Sequence, residues 1–114
     1  MLIPYEDRKI FLAAKPIDLR YSIDGLASFI RNENGTNLYD GSVYVFYNNA
    51  RDKIKCLFWD TNGFVLYYKR LDKCRFKFRD MMRSIENISA ADLSALLAGA
   101  EPINERRPAL EHRL

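Results

Sequence analysis

Histidine is nearly missing from this 114-residue chain: His112 is the only one, close to the C-terminus. That leaves little for histidine-activated nucleophiles or histidine metal sites. Cysteine is scarce too. Cys56 and Cys74 have neither the Cys-x-x-Cys spacing of zinc sites nor that of redox motifs, and each sits in a strand-like segment. Free buried thiols are expected; the sulfurs could approach if their strands are neighbours, but a reducing cytosol disfavours a bridge. No apolar run is long enough to cross a bilayer, and residues 1–7 lack the basic start and apolar stretch of a secretory signal. The expectation is a cytoplasmic protein without membrane contact. Neither common spacing of a glycine-rich phosphate loop occurs, and there is no internal repeat or low-complexity segment.

What is present suffices for one small domain. With 48% hydrophobic residues, the chain can bury a modest core without covalent staples. Residues 1–100 are expected to form that domain, and residues 101–114, polar and proline-broken, a disordered tail. The formal charge is only +3 but unevenly spread. Residues 51–83 hold ten basic side chains against four acidic ones, so this stretch carries +6 and the remainder −3. Clustered positive charge suits a polyanionic partner; it also suits a solvated face with no partner.

Periodicity predicts the elements. Residues 9–13 read as a short strand. Asp18 can cap a helix whose apolar positions Leu19, Ile23, Leu26 and Ile30 share one face, with Gly25 a weak point and 32–35 the stop. A turn at Tyr39-Asp40-Gly41 leads into a strand over residues 42–47. Residues 53–59 and 64–70 form the clearest hairpin. Asp60 and Gly63 suit the ends of a three-residue loop with Gly63 left-handed, which pairs Cys56 with Tyr68, Phe58 with Leu66 and Lys55 with Lys69; a two-residue Asn62-Gly63 turn would shift the pairing by one. Residues 74–78 continue the meander. Ser89 opens a capping-box helix carrying Leu93, Leu96 and Leu97 and ending at Gly99. The fold class is α+β: an antiparallel meander of four to five strands, one face covered by one or two helices. Ile54, Cys56, Phe58, Leu66, Phe76 and Phe78 should form the core with Ile23, Leu26 and Ile30.

Residues 53–78 also carry a motif. Their segments 55–60, 62–64 and 68–71 resemble the pattern (I/V)-K-(I/V/C)-L-(Y/F)-W-D-x-(N/T)-G-(F/W)-x-(L/V)-x-(Y/W)-K-R-L, which marks the TnpB-type accessory proteins of the insertion-sequence-66 family of bacterial transposable elements. The resemblance continues in Arg8-Lys9-Ile10-Phe11-Leu12, in Pro16-Ile17-Asp18-Leu19-Arg20 with Ile23-Asp24-Gly25-Leu26, and in Asp40-Gly41-Ser42-Val43-Tyr44-Val45-Phe46. It covers roughly residues 8–78. Two positions depart from the pattern: Cys74 stands where glycine is usual, and Arg79 where proline is usual. The resemblance implies a role in DNA transposition beside a separately encoded transposase; a second accessory protein is a further possible partner. It implies no known catalytic residues.

The residues themselves offer little catalysis. Asp18 is explained as a helix cap, Asp60 and Asp40 as turn residues, and Asp24 has no evident partner, so no catalytic residue, metal or cofactor is expected. The candidate nucleic-acid-binding face collects Lys53, Lys55, Lys69, Arg75, Lys77 and Arg79 with Trp59 and Tyr67. Cations can follow a phosphate backbone while exposed aromatics stack on bases. Alternatively the lysines solubilise an edge and the two aromatics pack under a helix. Two functions remain open: DNA binding through this face, or docking on the transposase or another accessory protein without touching DNA.

Overall fold

The computed structural model describes residues 7–32, 37–78, 86–99 and 101–102. In chain order the elements are β1 (Ile10–Leu12), α1 (Ile23–Arg31), β2 (Val43–Tyr47), β3 (Lys53–Asp60), β4 (Gly63–Arg70), β5 (Cys74–Arg75), β6 (Glu86–Asn87), α2 (Ala90–Ala98) and β7 (Glu101–Pro102). Four strands in the order β4-β3-β2-β1, extended by the two-residue β6, form the main sheet. The α+β class holds, but the sheet is mixed. β1 runs parallel to β2, with Ile10 opposite Val43 and Leu12 opposite Val45. A parallel pair needs a crossover, and α1 lies in it.

This crossover corrects the expected meander, and the helices correct it further by covering opposite faces. Leu26, Ala27 and Ile30 of α1 pack with Leu19, Tyr44, Phe46 and Leu57. Leu93 and Leu96 of α2 pack with Ile10, Val43, Val45, Ile54, Cys56 and Phe58, joined by Phe76 and Phe78. The core is therefore two clusters; Leu66, expected beside Phe58, belongs instead to the α1 side. β2 is buried along its whole length, as an uninterrupted Val-Tyr-Val-Phe-Tyr run should be when both faces are covered.

α1 begins at Ile23, not near Leu19, because Asp18 is not its cap. The Asp18 carboxylate accepts the Arg20 backbone N–H at 2.9 Å, a local turn that competes with helix. α2 matches its sequence signature: the Ser89 hydroxyl accepts the Asp92 N–H, the Asp92 carboxylate accepts the Ser89 N–H, and Gly99 is the C-cap. β5 leaves the meander and pairs with β7 as a separate two-stranded sheet. The tail expected from residue 101 thus starts with two residues in a strand; residues 103–114 lie outside the described residues. Both cysteines are free; Cys56 is buried and Cys74 half-buried.

The hairpin register differs from expectation in a way that matters below. Asp60 pairs with Gly63 and Trp59 with Phe64, leaving a two-residue loop, Thr61-Asn62. Such tight hairpins need positive φ in the loop, and Thr61 supplies it at φ 52°, whereas a Cβ on Gly63 would meet nothing within 4 Å. Every β4 side chain is thereby moved to the face opposite the expected one. Thr61→Gly should raise the melting temperature, by about 0.5–1 kcal/mol of stability after glycine's own entropic cost, and Gly63→Ala should change it little. Thermal denaturation of the two variants checks this; the reverse order would restore the three-residue loop.

Candidate functional site

Alternation along the hairpin sorts its side chains. Lys53, Lys55, Leu57 and Trp59 of β3 share a face with Arg70, Tyr68, Leu66 and Phe64 of β4, each opposite its partner in that order. Leu57 and Leu66 are part of the α1 cluster. Farther from the turn come Lys55 opposite Tyr68 and Lys53 opposite Arg70. Like charges directly opposite each other repel, and Lys53 answers with Asp52, 3.4 Å away. The segment 16–20 and the turn at 48–50 rise beside these residues. Together they enclose an open groove of about 730 Å³ lined by Asp18, Arg20, Asn48, Lys53, Lys55 and Tyr68, among others.

Lys55 forms the floor. It is only 8% exposed, yet among the described residues it has no carboxylate within ion-pair distance. Its Nζ donates to the Tyr21 carbonyl at 2.7 Å and lies 5.1 Å from the centre of the Tyr68 ring. A lysine ammonium has three protons to share, and a buried cation without a counter-charge is costly. The groove holds a positive charge that protein groups only partly satisfy.

The walls are fixed by local turns. Asn48 Oδ1 accepts the backbone N–H groups of Asp52 and Lys53, while its Nδ2 donates to Asp52 Oδ1 at 2.7 Å. Arg20 folds back on Asp18 through Nε at 3.0 and 3.1 Å and Nη2 at 2.7 Å. The guanidinium's hydrogen bonds pull the Asp18 carboxyl down to about 2, with the more distant charge of Lys55 helping slightly. The Arg20 side chain is nonetheless 91% exposed, so this cation stands at the rim. At the hairpin's other end, Trp59 lies edge-on to Tyr39 and Phe64, with ring centres 5.1 and 5.0 Å away.

A family model described as IS66 Orf2-like protein matches residues 8–107. The chain belongs to the IS66 Orf2-like family. Two proteins of Sinorhizobium fredii (strain NBRC 101917 / NGR234) are similar along nearly their whole length: the uncharacterized protein y4jC, 28% identical over 101 residues covering 89% of this chain and 86% of the relative, and the uncharacterized protein y4hO, 30% identical over 89% of this chain and 88% of the relative. No solved structure matches the chain. Family membership ties the chain to transposition as an accessory protein of IS66 elements, a family not known for enzymatic activity.

In this IS66 Orf2-like chain the eight expected site residues do not share one face. Lys53 and Lys55 reach the groove, but Lys55 is buried in it and not spread on an open sheet. Trp59 is on the same face yet half-buried between two rings. Tyr67 and Lys69 point to the opposite side: Tyr67 packs on the α2 cluster, and Lys69 Nζ donates to the Leu97 carbonyl at 2.8 Å, where a cation suits a helix C-terminus. Arg75 is in β5, Lys77 follows it half-buried, and Arg79 lies outside the described residues. Arg20 and Tyr68 were missed. The Asp18-x-Arg20 spacing, a local-turn signature, was the available sign of the first; Tyr68 needed the correct register. Among the described residues no cluster of three or more potential metal ligands occurs, and no helix is long and apolar enough to cross a membrane.

Two outcomes follow for the IS66 Orf2-like protein. Trp59→Ala should destabilise by about 1–3 kcal/mol, since it removes two edge-on ring contacts and part of a packed corner; chemical denaturation measures this. The Asp18 carboxyl should titrate near pH 2 by NMR. Because its folded value is below the unfolded one of about 3.8, the Asp18–Arg20 clamp is fully formed above pH 4 and is lost as the pH falls toward 2. Arg20→Gln should return the titration to the ordinary carboxylate range.

Proposed function

We propose that this chain is a non-catalytic accessory protein of DNA transposition that binds nucleic acid through the groove over Lys55, working beside the transposase in the bacterial cytoplasm. The observation that carries the reading is Lys55 itself: a buried lysine with one hydrogen bond, an aromatic ring and, among the described residues, no carboxylate within ion-pair distance, facing a solvent-open groove. A phosphate oxygen is the group that would complete it, through a charge-assisted hydrogen bond. Lys53 in the groove, Arg70 on the strand opposite it and Arg20 at the rim can follow the next phosphates. An anion between Lys53 and Arg70 would offset their repulsion.

A second reading, docking on the transposase without DNA contact, is favoured by a separate observation. β4 is an edge strand of eight residues with Val65 and Tyr68 exposed, and edge strands can accept a further strand from a partner.

Fluorescence anisotropy of labelled DNA against salt separates the two. Under the groove reading, log affinity falls with log salt by about 0.7–0.9 for each phosphate contacted. Lys55→Met should keep or raise the melting temperature, because a linear apolar side chain replaces a buried charge, and should lose most DNA binding. A parent that binds no DNA at low salt, or a Lys55→Met protein that binds as the parent does, would reject the groove and leave docking as the function.

A further inference from the structure

We propose that the nucleic acid taken by this groove is single-stranded, and that one unpaired base sits in an aromatic cleft beside Lys55. The proposal rests on the nucleic-acid reading above and goes on to name the form of the ligand. The cleft adjoins the cationic groove, sharing residues 16–18 with it. Its volume is about 380 Å³, and its lining includes Pro16, Ile17, Tyr21, Phe29 and Phe46. The rings form a continuous series: Tyr21 meets Phe29 edge-on at 6.0 Å, and Phe29 meets Phe46 at 6.4 Å.

Three observations point to a base as the occupant. First, the described residues include five exposed large hydrophobic side chains, and three of them, Tyr21, Phe29 and Tyr68, border the groove or the cleft. Aromatic surface left in water beside clustered cations is the combination by which proteins hold single strands, with rings for bases and cations for phosphates. Secondly, one residue serves both depressions. The Tyr21 carbonyl holds Lys55 Nζ and the Tyr21 ring lines the cleft, so a nucleotide whose phosphate meets Lys55 has its base close to that ring. Thirdly, α1 is built to let the ring lie there. A Cβ on Gly25 would come within 2.7 Å of Tyr21 Cδ1 and 3.1 Å of its Cβ, which accounts for a glycine inside a helix, where it is otherwise unfavourable. In duplex DNA each base is stacked and paired and cannot enter such a cleft without being extruded; in a single strand it is available.

The test compares three labelled probes of equal length on the full chain at one low salt concentration: single-stranded DNA, an abasic deoxyribose-phosphate strand, and duplex DNA. The expected order is single strand tighter than abasic strand by about tenfold or more, the range of one stacked base, with duplex weaker than the single strand. Tyr21→Ala combined with Phe29→Ala should bring single strand and abasic strand to equal affinity while the abasic value stays unchanged. Both side chains are exposed, and circular dichroism checks the fold; the comparison of probes on the parent stands even if the variant unfolds. Equal binding of single and abasic strands, or duplex binding as tight as single strand, overturns the base cleft and leaves the phosphate groove intact. No binding of any probe overturns both.

Discussion

β2 has no solvent face, and the arrangement of everything around it follows from that. All five of its residues are buried, with Val43, Val45 and Tyr47 in one cluster and Tyr44 and Phe46 in the other. Two aromatic-rich faces can leave water only if each is covered, so α1 and α2 must lie on opposite sides. β1 makes this possible by pairing in parallel, which carries the chain through α1 on the way to β2. An antiparallel meander with a single covered face would leave Tyr44 and Phe46, or Val43 and Val45, in solvent.

Covering both faces also decides where positive charge can go. In the hairpin, Leu57 and Leu66 are drawn under α1 while Ile54, Cys56 and Phe58 face α2. Only the two-residue loop satisfies both demands, and Thr61 takes up the left-handed backbone that results. Lys69 then falls beside the C-terminal end of α2 and becomes a structural cation. Lys53 and Lys55 fall where the segment 16–20 closes a groove around them, with Arg70 opposite Lys53.

Lys55 lies where these constraints meet. Its position on β3 puts it too deep for full hydration, and the Tyr21 carbonyl and Tyr68 ring give it partial satisfaction. A leucine there would suit stability better, since an apolar isostere avoids the desolvation of a charge. Retaining a lysine at a buried position that opens onto a groove is the pattern of a site whose partner arrives from outside. Under the proposed function that partner is a phosphate of nucleic acid.

Much of the secondary structure was legible in the residues alone: α2 from Ser89, Asp92 and Gly99, the hairpin strands from their β-type composition, and β2 from its apolar run. These are local signals, set by capping, propensity and short-range turns. The motif around Trp59-Asp60 also identified the family without coordinates. Three things were not legible. The parallel pairing of β1 and β2 depends on contacts between residues more than thirty positions apart. The hairpin register turns on a single residue of loop length, which a Thr-Asn-Gly sequence leaves undecided. And the site follows both: the register sets Tyr68, not Lys69, opposite Lys55, and the crossover brings the Tyr21 carbonyl to its ammonium. Sequence determined which residues are apolar, basic or able to cap; tertiary structure alone decided which of them share a face, because a strand's two faces are equivalent until something covers them.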